Sequence, residues 1–548
     1  MARLDRLGTG KLVAQVGATI GRRFSYELIQ AVAPADEATV QHGLGRLLEA
    51  ELLHQSGVPP RATYVFKHAL IQETAQQSLL KHTRQQYHRR IAKALAERFP
   101  ETAETQPELL AHHYTEAGLP GSAAPYWQRA GQRAIERSAH IEAISHFTKG
   151  LEILKAQPEK PERNLQELAL HLALGDALSM LKGYTAPETE QAYSAARRLC
   201  QQVGDSPQRF AALAGLLRFY RSRTELKTAQ ELGTELLKLA QSTQSAAFLL
   251  EAYCEQGTNL WHAGTFASAL THLEQGIACY ESGVEQSSRS SLSHPELLCF
   301  SSAGRSAWFL GYPDRALQKT QKALTLAQQL SQPYHLASAL SFAASLHVLR
   351  REAHRALEFA EATIALSREH GFVRWLGGGL IRRGWALAAL GSTESCIDSI
   401  RQGIAVWREM GTKQAEVQHL VMLAESYKHG GHIAAALDVL AEAVIILETS
   451  EERCYEAEVY RLRGECLLES GVKLEAVEES FVRALEVSRY QGAKSLELRA
   501  ILSLSRLLQR AGRRTEAHRM LTELYSWFSE GFDTPDLRDA KASLDTLT

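Results

Sequence analysis

"GWALAALGSTESCIDSIRQG", Gly384 to Gly403, holds the pattern that decides the fold. A small residue at 384 is followed by Leu387, then Cys396, Ile400 and Gly403. The same spacing returns as Gly304/Ala307/Ala316/Ala323 and Ala344/His347/Ala356/Ala360. It continues as Ala424/Tyr427/Ala436/Leu440/Ala443, Gly464/Leu467/Ala476 and Ser505/Leu508/Ala517/Leu521/Leu524. The first positions advance by 40 residues each time, and by 41 at the last step. Looser copies precede them. Gly257/Leu260/Ala269/Leu273/Gly276 is clear, and Gly175/Leu178 fits with an insertion before Ala192. Ala111/Tyr114/Ala123/Trp127/Ala130 and Gly131/Ala134/Ala143/Phe147/Gly150 overlap on a shared helix.

A fixed step of this length marks a stack of helix pairs. Small residues at the first and Ala positions let two antiparallel helices approach closely, and the bulky positions fill the groove between them. Glycine inside a helix costs about 1 kcal/mol relative to alanine, so its return at one phase points to close packing. Each pair leaves an apolar face for the next pair to cover. The expectation is an all-α superhelix of about ten helix pairs over 101–535, followed by a tail at 536–548. The units resemble the tetratricopeptide repeat, whose usual length is roughly 34 residues. The longer step here implies longer helices or turns.

Residues 1–100 do not repeat. Helical stretches are expected near 10–18, 24–33, 38–53 and 68–98. "ATYVFKH", Ala62 to His68, alternates like a strand and could form a hairpin with "ELLHQSG". Helices followed by a hairpin suggest a small winged-helix-like domain. Lys81, His82, Arg84, His88, Arg89 and Arg90 then raise the alternative of a transcriptional regulator touching DNA. Glu49, Glu51 and Glu73 are mixed among them, which favours a solvated helix face.

Composition excludes several classes. The 548 residues are 45% hydrophobic and 22% charged, with 61 Lys+Arg against 62 Asp+Glu. That balance suits a folded protein and gives no general pull toward nucleic acid or an anionic membrane. Apolar runs are too short for a membrane span. The seven cysteines are scattered without a CxxC and read as reduced core thiols of a cytoplasmic protein.

Several stretches resemble chemical motifs and fail on inspection. "RLGTGKLVAQVGATIG", Arg6 to Gly21, contains a Gly-Lys pair, but a phosphate loop would need glycine at Asp5 and a hydroxyl at Leu12. "WLGGGLIRRG", Trp375 to Gly384, has Arg382 where a dinucleotide fingerprint needs glycine. His112-His113 and His429-x-x-His432 lack the companions of a metal site. No catalytic residue, metal or cofactor is expected.

The segments at 1–29, 64–80 ("YVFKHALIQETAQQSLL"), 84–100, 107–119 ("PELLAHHYTEAGL"), 126–154 and 531–544 ("GFDTPDLRDAKASL") together carry a wider resemblance. The chain is similar to the C-terminal half of bacterial proteins in which a class III adenylate/guanylate cyclase domain precedes a STAND-type AAA ATPase, a winged-helix segment and a long tetratricopeptide array. The cyclase aspartates and the Walker elements have no counterpart here. The resemblance implies a non-catalytic regulatory module that senses a protein partner or signal ligand and gates a cyclase or ATPase in cis or in trans. In such arrays the first helix of each pair lines the concave groove. Residues one and four after the small anchor then select Trp261, Arg305, Trp308, Trp385, Glu425 and Lys428 as partner contacts, because Trp and Arg are the usual energetic anchors of interfaces. Packing between neighbouring units is the competing role for the tryptophans.

Overall fold

The structure, a computed structural model, describes residues 7–137, 139–183, 186–203, 207–283, 294–392 and 394–547. Asp5, one of the two positions that exclude a phosphate loop, lies outside them. The chain forms two compact units. One comprises Met1–Leu181 with Ala195–Gly204, and the other Lys182–Ser194 with Asp205–Thr548.

The first unit opens with the helix Thr9–Ile20, strand β1 (Arg23–Ser25), the helices Tyr26–Val32 and Glu37–Glu49, and strands β2 (Leu53–Ser56) and β3 (Thr63–Phe66). The sheet order is β1–β3–β2, both pairings antiparallel, with Phe24 opposite Tyr64 and Leu53 opposite Phe66. The strands are thus those of a hairpin, β2 and β3, with β1 added beside β3. Ser25 Oγ accepts from Leu28 N and Asp36 Oδ1 accepts from Thr39 N, so each short helix starts on a side-chain cap. Gly17 lies under the Phe24 ring, where a Cβ would come within 2.7 Å. The Gly-rich opening is thus a packed helix, and Gly10 faces the helix Glu37–Glu49. The expected helix at 68–98 is two, Ala69–Gln77 and Lys81–Arg98.

From Pro107 onward the described elements are all helices, from Pro107–Glu116 to Pro535–Leu547. The small anchors behave as the repeat predicts. A Cβ on Gly257 would meet Leu273 at 2.6 Å, one on Gly304 the Ala316 carbonyl at 3.0 Å, and one on Gly464 the Phe481 ring at 2.5 Å. In the quoted unit, a Cβ on Gly384 would lie 2.5 Å from the Cys396 carbonyl oxygen. Gly384→Ala should therefore destabilise by about 1–3 kcal/mol, because backbone cannot yield as a side chain can. That outweighs the helix-propensity gain of about 1 kcal/mol. A urea midpoint at or above the wild-type value would refute the contact.

The turns share a second periodicity. Gly311, Gly391, Gly431, Gly471 and Gly512 all have positive φ, and Arg351 occupies the same phase with φ 58°. A side chain is unfavourable in this left-handed conformation. Arg351 is offset there by ion pairs to Asp536 and Asp539, 3.1 and 2.8 Å away. Both acids belong to Pro535–Leu547, a helix whose Leu537 and Ala540 are buried. The segment expected as a tail from 536 is, through 547, a packed helix.

Within the second unit the superhelix closes on itself. Lys413 N donates to Ser222 O (3.1 Å), Arg453 N to His262 O (2.9 Å) and Ser495 Oγ to Trp308 O (2.5 Å). These partners are separated by nearly two hundred residues, so successive turns of the superhelix meet and cover the inner helices. The helix Pro295–Phe309, for instance, is buried along nearly its whole length.

Candidate functional site

The inner helices of the second unit carry a stripe of polar side chains through an apolar interior. On Glu456–Glu469, Arg461 donates to Glu458 (2.8 and 2.7 Å) and to Glu465 (2.6 Å). Lys428 Nζ reaches Glu465 at 2.8 Å, and Arg499 joins Asp536 at 2.8 Å. Burial alone would raise the Glu465 carboxyl, but Arg461 and Lys428 beside it hold it at about 2. Arg461 itself is held charged despite its burial by Glu458 and Glu465. On the other side of the stripe, Arg221 donates to Glu255 at 2.7 Å.

The six residues selected from sequence lie on four helices of the second unit, Ala246–His262, Pro295–Phe309, Val373–Ala389 and Glu416–His429. Trp385 Nε1 donates to Glu425 at 2.6 Å, so the structure brings those two together across adjacent helices. Lys428 and Glu425 are half-buried. Trp261, Arg305, Trp308 and Trp385 are buried, at 0–6% exposure. The open groove expected for them is covered, because the following superhelical turn packs against it. In this conformation those four are interior groups and not contact surface. Arg305 lies over Trp261, 4.1 Å from the ring centroid, and Arg499 lies 4.9 Å from Trp308.

The sequence reading missed Arg382, Glu458, Arg461 and the pair His262–Glu452. The signal was available for the first three. Arg382 stands three residues before Trp385, and Arg461 four before Glu465, so each continues the inner stripe by one helical turn. His262 and Glu452 carry no local signal. Glu452, His262 and Cys454 lie close enough to hold a cation, yet their atoms are engaged. His262 Nδ1 meets Glu452 at 2.7 Å, its Nε2 meets Gln414 at 2.6 Å, and Glu452 accepts from Ala415 N. The trio clips two superhelical turns together and does not fit a metal.

In the first unit, His113 pairs Nδ1 to Nδ1 with His88 at 2.9 Å, both buried. Burial, with neighbouring histidines, lowers His88 to about 4 and His113 to about 3. The pair is neutral and interior. His88 therefore leaves the basic set considered for DNA. The exposed members Lys81, His82, Arg89 and Arg90 lie on Lys81–Arg98, not on the helix Glu37–Glu49 that precedes the hairpin. "WLGGGLIRRG" lies in the helix Val373–Ala389, where Gly377 faces Trp407 and Gly379 faces Ile364.

A cleft of about 1100 Å³ opens elsewhere in the second unit, lined in part by Phe300, Lys322, His347 and Arg350. Arg350 is already bonded there to Glu352 and the Pro313 carbonyl. No helix among the described residues is long and apolar enough to cross a membrane.

No protein-family model matches the chain. It is 24% identical over 512 residues to an uncharacterized protein of Rhizobium meliloti (strain 1021), covering 92% of this chain and 49% of that protein. The chain thus spans about half the length of this relative. Among solved structures it is similar to a Rap protein complexed with competence and sporulation factor, at 12% identity and TM-score 0.45, over 67% of this chain and 98% of that one. A STAND protein with a tetratricopeptide repeat sensor from Pyrococcus horikoshii aligns at 8% identity and TM-score 0.39, over 89% of this chain and 65% of that one. NprR in complex with its peptide NprX aligns at 13% identity and TM-score 0.37, over 52% and 81%.

Proposed function

We propose that the chain is a non-catalytic sensing module that binds a signal ligand or partner inside the second unit and relays it to a linked or partner ATPase or nucleotide cyclase. The observation that carries this reading is the polar stripe of the inner helices. Charged groups are costly to bury, and a stack held only by apolar faces would not need them. A superhelix lined this way suits a site whose occupancy alters how its turns pack.

The relative's twofold greater length supports a companion domain in cis. The relay is tested by joining the chain to the other half of the Rhizobium meliloti protein and measuring ATP hydrolysis and cyclic-nucleotide formation. Turnover that differs between the chimera and that half alone is expected. Identical turnover, or none, would sink the relay. The chain alone should turn over neither nucleotide above a blank.

The DNA-binding alternative draws little from the geometry. The helix before the hairpin, "EATVQHGLGRLLE", carries Glu37 and Glu49 against one arginine, Arg46. Phosphate contact needs a basic face. No mobility shift of duplex DNA is expected even at low salt, and a shift that falls with added salt would restore the alternative.

A further inference from the structure

Arg305 and Arg382 differ from Arg221, Arg350 and Arg461, the other buried arginines of the second unit. Those three meet a carboxylate within 3 Å. Arg305 and Arg382 are 6% and 8% exposed and, among the described residues, meet none. A guanidinium has five N–H donors. Arg305 uses one, on Ser302 Oγ at 3.3 Å, and rests between the rings of Trp261 and Phe342, 4.1 and 4.7 Å from their centroids. Arg382 uses one, on the Gly378 carbonyl at 2.7 Å. The Nε of each is enclosed without a partner, as are Trp261 Nε1 and His419 Nε2.

These groups share one region. Arg382 lies close enough to Arg305 to add to what burial does in lowering it to about 10. Tyr455 is set between the two electrostatically, and both cations oppose the rise that burial imposes on its hydroxyl. His419 is held neutral, at about 3, by burial and by Arg382 and Arg374. Ser341 Oγ and Arg382 Nη1 both crowd the space over Gly378. The nearby acids are already committed. Glu255 takes Arg221 and Arg218, Glu452 takes His262 and Ala415 N, and Glu425 takes Trp385.

We infer that Arg305 and Arg382, with Trp261, form a buried receptor for the oxyanion of a small ligand, a carboxylate or a phosphate. Two buried cations without counter-charge are costly, and a planar guanidinium fork matches either oxyanion with paired hydrogen bonds. The aromatic walls orient Arg305 by cation–π contact and leave its edge donors for the ligand. This inference rests on the sensing reading and names the chemistry of its ligand.

The test is thermal unfolding of the full chain titrated with inorganic phosphate or with benzoate, against potassium chloride at equal ionic strength. A rise in Tm of about 5 °C is expected at a hundredfold excess over Kd. A rise with phosphate alone assigns the site to phosphate esters, with benzoate alone to carboxylates, and with both to oxyanions generally. No rise with either overturns the inference. The double variant R305M/R382M should lose the response while melting, ligand-free, at or above wild type. A double variant that melts well below wild type would show that these cations already have structural counter-charges, which also overturns it. R382K, which keeps the charge and loses the fork, should fold and bind roughly tenfold more weakly. Failure here leaves the relay standing, because that is judged by turnover of the chimera.

Discussion

Arg461→Met is expected to destabilise the second unit by about 3–5 kcal/mol, whereas the same replacement at Arg305 should be neutral or stabilising. Both arginines are buried, at 8% and 6% exposure, so lost packing is comparable. The difference lies in what each leaves behind. Arg461 makes both hydrogen bonds that neutralise Glu458 and one that holds Glu465. Without it, the remaining cation beside Glu458 among the described residues is Arg499, 3.5 Å away, at a carboxylate now 4% exposed. Burial would then raise that carboxyl, which Arg461 now holds low. An orphaned buried charge costs far more than a lost surface pair. Arg305 orphans no carboxylate, and a methionine would pack between Trp261 and Phe342. Urea midpoints followed by tryptophan fluorescence give the two values, and hydrogen exchange over Glu456–Glu469 localises the loss. Equal destabilisation by both replacements would mean that Arg305 already has a counter-charge.

The contrast also marks where sequence reading stops. The 40-residue step and the small anchors specify the helix pairs, because Gly384 against Cys396 and Gly464 against Phe481 are local contacts within one pair. Strand β1 escaped because three residues cannot show an alternation. Helical phase selects the inner positions on the first helices of a tetratricopeptide-like array, and the structure pairs two of them, Trp385 with Glu425, and Lys428 with Glu465. Their burial did not follow. That depends on Lys413 meeting Ser222 and Arg453 meeting His262, backbone contacts with no residue signature and very large sequence separation. The pitch of a superhelix is the sum of small rotations per repeat, and a slight change in each decides between an open groove and a closed interior. Arg382 could have been found by extending the stripe one turn. Its lack of a carboxylate could not, since that requires knowing every neighbour.

Acidification should weaken both units from about pH 6.5 downward, and the loss begins before most carboxylates titrate near pH 4. His88 and His113 in the first unit are lowered to about 4 and 3, and His335 and His419 in the second to about 4 and 3, in each case chiefly by burial. A histidine in the unfolded chain takes up its proton near pH 6.5. Below that pH the unfolded state binds more protons than the folded one, so folding stability falls as pH falls. The loss continues until the folded-state values are reached. Each such group should cost about 2 kcal/mol at pH 5 relative to pH 8, hence about 4 kcal/mol in each unit. A separate loss follows at lower pH, where Glu465, held at about 2, contributes stability that disappears as the pH falls from the ordinary carboxylate range toward that value. Urea midpoints should therefore stay nearly level from pH 8 to about 7 and fall from there to pH 5, with stability approaching a limiting slope near 1.4 kcal/mol per pH unit for each buried histidine. His419→Phe should reduce the slope of the second unit by one proton, since phenylalanine can fill the space beside Trp407 without titrating. A midpoint independent of pH across this range would mean that these four imidazoles are charged or hydrated in the folded protein.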